Sequence, residues 1–177
     1  MGINPAFSLY HSTWDGILHS QQSLSLAYTY HQAFIGNSNH EASFQGIFEQ
    51  PIVPGFRINL RSGAVWNSSD DPLHEEDPQR SGVDILPKRF SARHYAGLSG
   101  GLEKHIFTTR MLTLSVHGSW QTVFSYGPIS GLRFDHGPSA GLRLYFNRVA
   151  MPPFSCGVAY NMQSGRYQMA INIGIVY

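Results

Sequence analysis

The sequence predicts an all-β fold of antiparallel transmembrane β-barrel strands, about eight of them in an up-and-down meander. Three observations carry this reading. First, only 13% of the 177 residues are charged while 13% are aromatic, against about 25% charged in an ordinary soluble domain. A surface this poor in Lys, Arg, Glu and Asp must be covered by something other than water, and lipid is the natural candidate. Second, no stretch of about 20 apolar residues exists from which to build a membrane-spanning helix, and the mean hydropathy of -0.19 is slightly polar. Third, large apolar residues recur at every second position in segment after segment, the period of a strand with two unlike faces.

The segments follow in chain order. A possible extra strand lies near residues 5 to 12. Leu24, Leu26, Tyr28 and Tyr30 oppose Ser23, Ser25 and Thr29. Residues 41 to 50 give the faintest alternation. Phe56, Ile58, Leu60, Ala64 and Trp66 oppose Arg57, Asn59, Arg61 and Asn67. Residues 90 to 104 are a weaker case, with Ala92, Leu98 and Leu102 set against Arg93, Ser99 and Glu103. Leu112, Leu114, Val116 and Trp120 face away from Thr113, Ser115, His117, Ser119 and Gln121. Leu142, Leu144 and Phe146 alternate with Gly141, Arg143 and Tyr145, and Phe154, Cys156, Val158 and Tyr160 with Ser155, Gly157, Ala159 and Asn161. The clearest case closes the chain. From Tyr167 to Tyr177 the set Tyr167, Met169, Ile171, Ile173, Ile175 and Tyr177 is large and apolar, over the length of about 11 residues that one tilted transmembrane strand needs.

A soluble β-sandwich with one wet face alternates in the same way. It would carry Lys and Glu on that face, whereas these polar faces carry Ser, Thr, Asn, Gln and Gly, with Arg as the main charge. Loop lengths give a second test, because bacterial barrels pair short periplasmic turns with longer outside loops. Turns at 105 to 109 and 148 to 152 read as periplasmic, and 68 to 89 and 125 to 136 as outside loops. The segment 68 to 89, with Asp70, Asp71, Glu75, Glu76, Asp77 and three prolines, reads as a large solvated loop. Trp66, Trp120, Phe124, Tyr126 and Tyr177 fall near predicted strand ends, where an interfacial girdle belongs. Residues 1 to 22 form an N-terminal segment and 23 to 177 the barrel region.

Other chemistries find little support. A net charge of +1 with no basic cluster beyond Lys88-Arg89 offers no footprint for nucleic acid. The single Cys156 allows neither an intrachain disulfide nor a multi-cysteine metal site. Nine histidines show no helical pairing with Glu and no zinc spacing, so neither metal nor cofactor is expected. Gly97 to Gly101 lacks the strand, turn, helix and Lys context of a phosphate loop. The N-terminus, Met1 to Phe7, has neither a basic nor an apolar signal region, so an exported protein would take its signal from elsewhere.

Gly137-Pro138-Ser139-Ala140-Gly141-Leu142-Arg143-Leu144-Tyr145-Phe146, then Phe154 to Tyr160, then Ile171-Asn172-Ile173-Gly174-Ile175-Val176-Tyr177 are similar to the last three strands of the bacterial surface antigen family. These are the 16-stranded barrels of outer-membrane assembly factors and two-partner secretion transporters. The chain from about residue 90 onward resembles the C-terminal part of this family, and the chain looks like the C-terminal half of such a barrel. The resemblance implies a place in the bacterial outer membrane, a role in membrane-protein assembly or polypeptide translocation, and as partners outer-membrane lipid, the barrel assembly machinery and another barrel half or a polypeptide substrate. It also implies that Tyr167, Ile171, Ile173, Gly174, Ile175 and Tyr177 form the insertion signal. The family's sixth outside loop folds into the lumen and carries a Val-Arg-Gly-aromatic motif, to which Ala92-Arg93-His94-Tyr95 is the nearest match, making Arg93 and Tyr95 candidate lumenal loop residues.

The charges read as lumen-facing are Arg57, Arg61, Glu103 and Arg143. A lumenal Arg93 would need a counter-charge such as Glu103, with Glu49 serving its neighbours, because an unpaired charge away from water is costly. Small barrels also include lipid A modifying enzymes, and Arg93-His94-Tyr95-Ala96 faintly resembles the His-x-Ser motif of lipid A deacylases. Ala96 stands where the nucleophile would be, so no enzyme is expected. A self-contained eight-stranded barrel with a structural, adhesive or small-solute role is the alternative to the half barrel.

Overall fold

In a computed structural model, residues 2–15, 18–31, 38–69, 83–86, 92–127, 131–148 and 153–173 are described. They form ten strands and, among the described residues, no helix: β1 (Gly2–Ile3), β2 (Ala6–Asp15), β3 (Leu18–His31), β4 (Asn39–Val53), β5 (Phe56–Asn67), β6 (His94–Thr108), β7 (Leu112–Gly127), β8 (Gly131–Phe146), β9 (Phe154–Asn161) and β10 (Arg166–Ile173). Among the described residues no helix is long and apolar enough to cross a membrane. All ten strands belong to one antiparallel sheet in sequence order, open at both edges among the described residues. β1 and β2 occupy the same edge of β3 in one unbroken register, Ile3 opposite Tyr30 and Ala6 opposite Ala27. Pro5, which has no N–H to give, interrupts the ladder between them, and such a residue is tolerated on an edge strand. The sheet is therefore nine strands wide.

Burial is inverted relative to a soluble sheet. On β7 the odd positions turn inward and are polar or small, with Thr113, Ser115 and Gln121 buried. The even positions turn outward, and Trp120 and Phe124 are 49% and 54% exposed. The same division holds on β5, where Arg57 and Asn67 are buried and Trp66 is 50% exposed, and on β6, where Glu103 is buried and Leu98 is exposed. Among the described residues, Lys104 is the sole Asp, Glu, Lys or Arg on the outward face of β3 to β10. It lies four residues from the end of β6, within reach of the rim by its long stem.

The hairpin ends are staggered. One hydrogen-bonded row runs through Gln21, Glu49, Asn59, Gly101, Ser119, Ser139, Ala159 and Gln168. At the upper end, which carries the 68 to 93 connection, the β3–β4 hairpin continues ten residues above this row to His31, while the β9–β10 hairpin continues two, to Asn161. At the lower end β3 extends three residues below it to Leu18, and β8 seven, to Phe146. The upper ends thus step down by eight residues over six strand steps and the lower ends by four over five, a mean of about one residue per strand. With about 3.4 Å per residue and about 4.8 Å between strands, that is a strand tilt of about 35°.

A level line with this slope gathers the outward aromatic residues. Tyr28, Trp66, Tyr126, Phe134, Tyr160 and Tyr167, together with His40, His94 and His136, fall within a spread of about four residues near the upper end. Below them lies an aliphatic zone that includes Leu26, Leu60, Leu98, Leu102, Leu142, Val158 and Ile171, all exposed. About ten residues separate the aromatic level from that of Phe56 and Phe146, which at the deduced tilt spans about 28 Å.

The backbones of β8 and β9 approach closely at Gly137. A Cβ on Gly137 would collide with the carbonyl oxygen of Tyr160, so a larger residue there would force β8 and β9 apart.

Several sequence expectations need correction. Residues 125 to 136 are not a long loop: Gly127 pairs with Gly131, the connection is 128 to 130, and Tyr126, Leu132 and Phe134 continue the alternation through the hairpin. Gly131, at the start of β8, takes a φ of 65°, a left-handed conformation that glycine adopts without strain. β6 extends to Thr108, placing its lower turn at 109 to 111, held by Thr109. β4 is 15 residues long although 41 to 50 looked faintest; Ile47 on the inward face and Gly46 on the outward one blur its alternation. Trp120 is the ninth of 16 residues in β7, not near its end. The 68 to 89 connection is not wholly solvated, because Val83, Ile85 and Leu86 are fully buried against the inner face with Val123 and Ala159. Residues 70–82 and 87–91 lie outside the described residues, as do most of 148 to 152.

Candidate functional site

The inner face holds two polar assemblies. The lower one centres on Glu103 of β6. Its Oε2 accepts from Arg57 Nη2 at 2.5 Å and Arg143 Nη1 at 2.6 Å, and its Oε1 from Ser115 Oγ and Tyr145 OH, both at 2.6 Å. Arg57 also reaches Glu49 Oε2 at 3.0 Å, and Arg61 reaches Glu49 Oε1 at 2.8 Å. Arg57 and Arg143 both donate to the Tyr145 hydroxyl, at 3.0 and 3.2 Å. The cluster spans β4, β5, β6, β7 and β8. Three guanidiniums and two carboxylates leave it a net charge of +1, and only alternation could bring all five onto one face.

The upper assembly receives the segment 83–86. Gln121 Oε1 accepts from the backbone N–H groups of Asp84 and Ile85 at 2.7 and 3.2 Å, and Asn161 Nδ2 donates to the Ile85 carbonyl at 3.3 Å. Gln121 is in turn held by Ser139 at 3.1 Å, and Asn161 by Asp135 at 2.8 Å. These side chains supply the hydrogen bonds that a buried, strandless backbone needs. Burial pushes the Asp84 carboxyl above its usual range, opposed by the charge of Arg61 and the bond to Gln121.

The expected lumen-facing charges Arg57, Arg61, Glu103 and Arg143 therefore meet in one network, and Glu49 joins it. Arg93 does not. It donates to the backbone carbonyls of Asn67 and Ser68, at 3.2 and 2.8 Å, at the upper rim, so the Glu103 counter-charge expected for it goes to Arg57 and Arg143. Tyr95 turns inward beside Val65 and Ala92. Tyr167 and Ile171 face outward, exposed, on the edge strand β10. Ile173 ends that strand, and Gly174, Ile175 and Tyr177 lie outside the described residues.

Sequence reasoning missed the roles of Tyr145, Ser115, Gln121 and Asn161. Their inward parity was legible, but not which partner each would meet. Among the described residues, no group of three His, Cys, Asp or Glu is arranged to hold a metal ion. Every oxygen of Glu103 is engaged, so the cluster acts as a fixed, positively biased wall that braces the sheet from inside.

No family model, curated protein or solved structure matches the chain.

Proposed function

We propose that this chain is the wall of a bacterial outer-membrane β-barrel, a non-catalytic barrel half of the surface antigen type that serves membrane-protein assembly or polypeptide translocation. The observation that carries the membrane reading is the inverted burial: an outward face of exposed Leu, Ile, Phe and Trp over an inward face of buried Arg, Glu, Ser and Asn. Water gives no reason to arrange a sheet this way; lipid does. The deduced tilt of about 35° and band of about 28 Å agree with the tilt of about 35–45° and the apolar band of about 25 Å in outer-membrane barrels.

The half-barrel reading is supported by parity. Adjacent strands alternate in direction, so the first and last of nine positions run the same way and cannot join in an antiparallel ladder. Two copies in one membrane orientation meet the same obstacle at both seams. An antiparallel closure needs an odd number of further strands, and seven would complete the 16 of the surface antigen barrels. A closed eight-stranded barrel of β3 to β10 would need the edge of β3 that β1 and β2 occupy.

Hydrogen exchange of the chain refolded into lipid vesicles tests this. Amides of β4 to β9 should be protected, with the outer edges of β2 and β10 exchanging faster, since unpaired edges in lipid are unstable. A monodisperse monomer with every strand protected would refute the half barrel and favour the eight-stranded alternative.

A further inference from the structure

On the upper outer face the register places two small residues between two large ones. Ala64 pairs with Ala96, Phe44 lies beyond Ala64, and Phe124 beyond Ala96. The result is a groove of about 430 Å³ across β4 to β7, with an apolar floor and aromatic walls. This lies within the range of small-molecule sites, about 300–1,000 Å³.

Above the alanines a flat aromatic stack closes the groove. The His94 ring lies 6.1 Å from Trp66 at an interplanar angle of 7°, and 5.7 Å from Tyr126 at 12°. The Asn67 backbone N–H donates to His94 Nδ1 at 3.3 Å. With Nδ1 accepting, the neutral ring carries its proton on Nε2, which makes that nitrogen a donor. The Arg93 guanidinium lies on the same rim, against the carbonyls of Asn67 and Ser68. Among the described residues the outward face of β3 to β10 has no carboxylate to repel an anion at this level. The His94 Nε2–H therefore stands as a hydrogen-bond donor with no competing carboxylate on its face.

We propose that the groove is a specific site for a lipid with a phosphate headgroup, one acyl chain lying over Ala64 and Ala96 and the phosphate accepting from His94 Nε2. The inference rests on the membrane reading, which puts the groove in lipid and the His94 stack at the aromatic level near the headgroups. The chain packs where the wall is thinnest. The stack holds the imidazole in one orientation, so the headgroup meets a fixed donor.

The test uses the full chain in vesicles containing phosphatidylglycerol and diacylglycerol, extracted into mild detergent, with retained lipid counted by native mass spectrometry. The unaltered protein should keep one phosphatidylglycerol. Ala96→Phe, which fills the groove, should lower its retention about tenfold, whereas Ala140→Phe, outward-facing on β8 and outside the groove, should not. His94→Phe keeps an aromatic ring in the stack and loses the donor; its retention of phosphatidylglycerol should fall to that of diacylglycerol. Excess inorganic phosphate should displace nothing, and displacement would reveal a free-phosphate site and overturn the lipid assignment. Equal retention by the unaltered, Ala96→Phe and Ala140→Phe chains would also overturn it. Protease protection in the vesicles separates the two readings: an inserted chain that keeps no lipid refutes the groove alone, and a chain that never inserts refutes both.

Discussion

Glu103→Gln is the most demanding perturbation of the inner face. The carboxylate is 1% exposed and accepts from Arg57, Arg143, Ser115 and Tyr145. Glutamine keeps the shape and one oxygen but turns the other into a donor aimed at donors. It also raises the cluster's charge from +1 to +2, leaving Glu49 to face three guanidiniums. Breaking a buried pair in this way costs about 3–5 kcal/mol, mostly because a charge is left uncompensated. Urea unfolding in lipid vesicles, followed by tryptophan fluorescence, should show that loss. Adding Arg143→Gln should restore part of it, and a double-mutant cycle should return a coupling of about 1–3 kcal/mol between the two positions. A Glu103→Gln protein within about 0.5 kcal/mol of the unaltered one would refute the view that this cluster braces the sheet.

Three further outcomes are expected. Leu60→Arg, on the outward face, should destabilise the vesicle-bound protein by about 2–4 kcal/mol, while Gln45→Arg, on the inward face, should change little; equal unfolding losses would contradict the facing. Gln121→Ala leaves the buried N–H groups of Asp84 and Ile85 without their acceptor, at a cost of about 1–3 kcal/mol, so a thiol introduced as Val83→Cys should be labelled faster in that background. Because burial raises the Asp84 pKa in the docked state, docking should tighten as pH falls through that raised value toward 3.8 and loosen above it. Asp84→Asn should remove the pH dependence and slow labelling at neutral pH; labelling that quickened on acidification would reverse the sign and refute the assignment.

Most of the sheet was legible because it obeys one rule. Wherever bulky residues alternate with Ser, Asn or Arg, as in Phe56 to Asn67, the strand and its facing followed from period two. The rule faded in β4 and β6, where Gly46, Gly97, Gly100 and Gly101 leave no side chain to mark a face. It stopped short in β7 and β8, since Gly127 and Gly131 read as loop although they pair with each other at the ends of the two strands. The charges Arg57, Arg61, Glu103 and Arg143 share one face of the sheet because parity alone decides facing. Their pairing was not legible: a partner two strands away, as Arg143 on β8 is from Glu103 on β6, depends on curvature and side-chain reach, which periodicity does not encode. The burial of Val83 to Leu86 was hidden for a similar reason. Four residues of an acidic, proline-rich connection carry the contacts, and their hydrogen bonds come from Gln121 and Asn161, distant in sequence.

The central claim is that the exposed apolar face lies in lipid, and depth-resolved tryptophan quenching tests it most directly. With Trp14→Phe and one of the other two tryptophans replaced in turn, the chain would be refolded into vesicles of lipids brominated at different positions along the acyl chain. Trp120 lies four residues below Trp66 once the strand tilt is applied, a depth difference of about 11 Å. Bromines deep in the chain should therefore quench Trp120 most, and those near the headgroup Trp66, with aqueous iodide quenching neither well. Strong iodide quenching of both, with no dependence on bromine position, would show that this face meets water and would contradict the account.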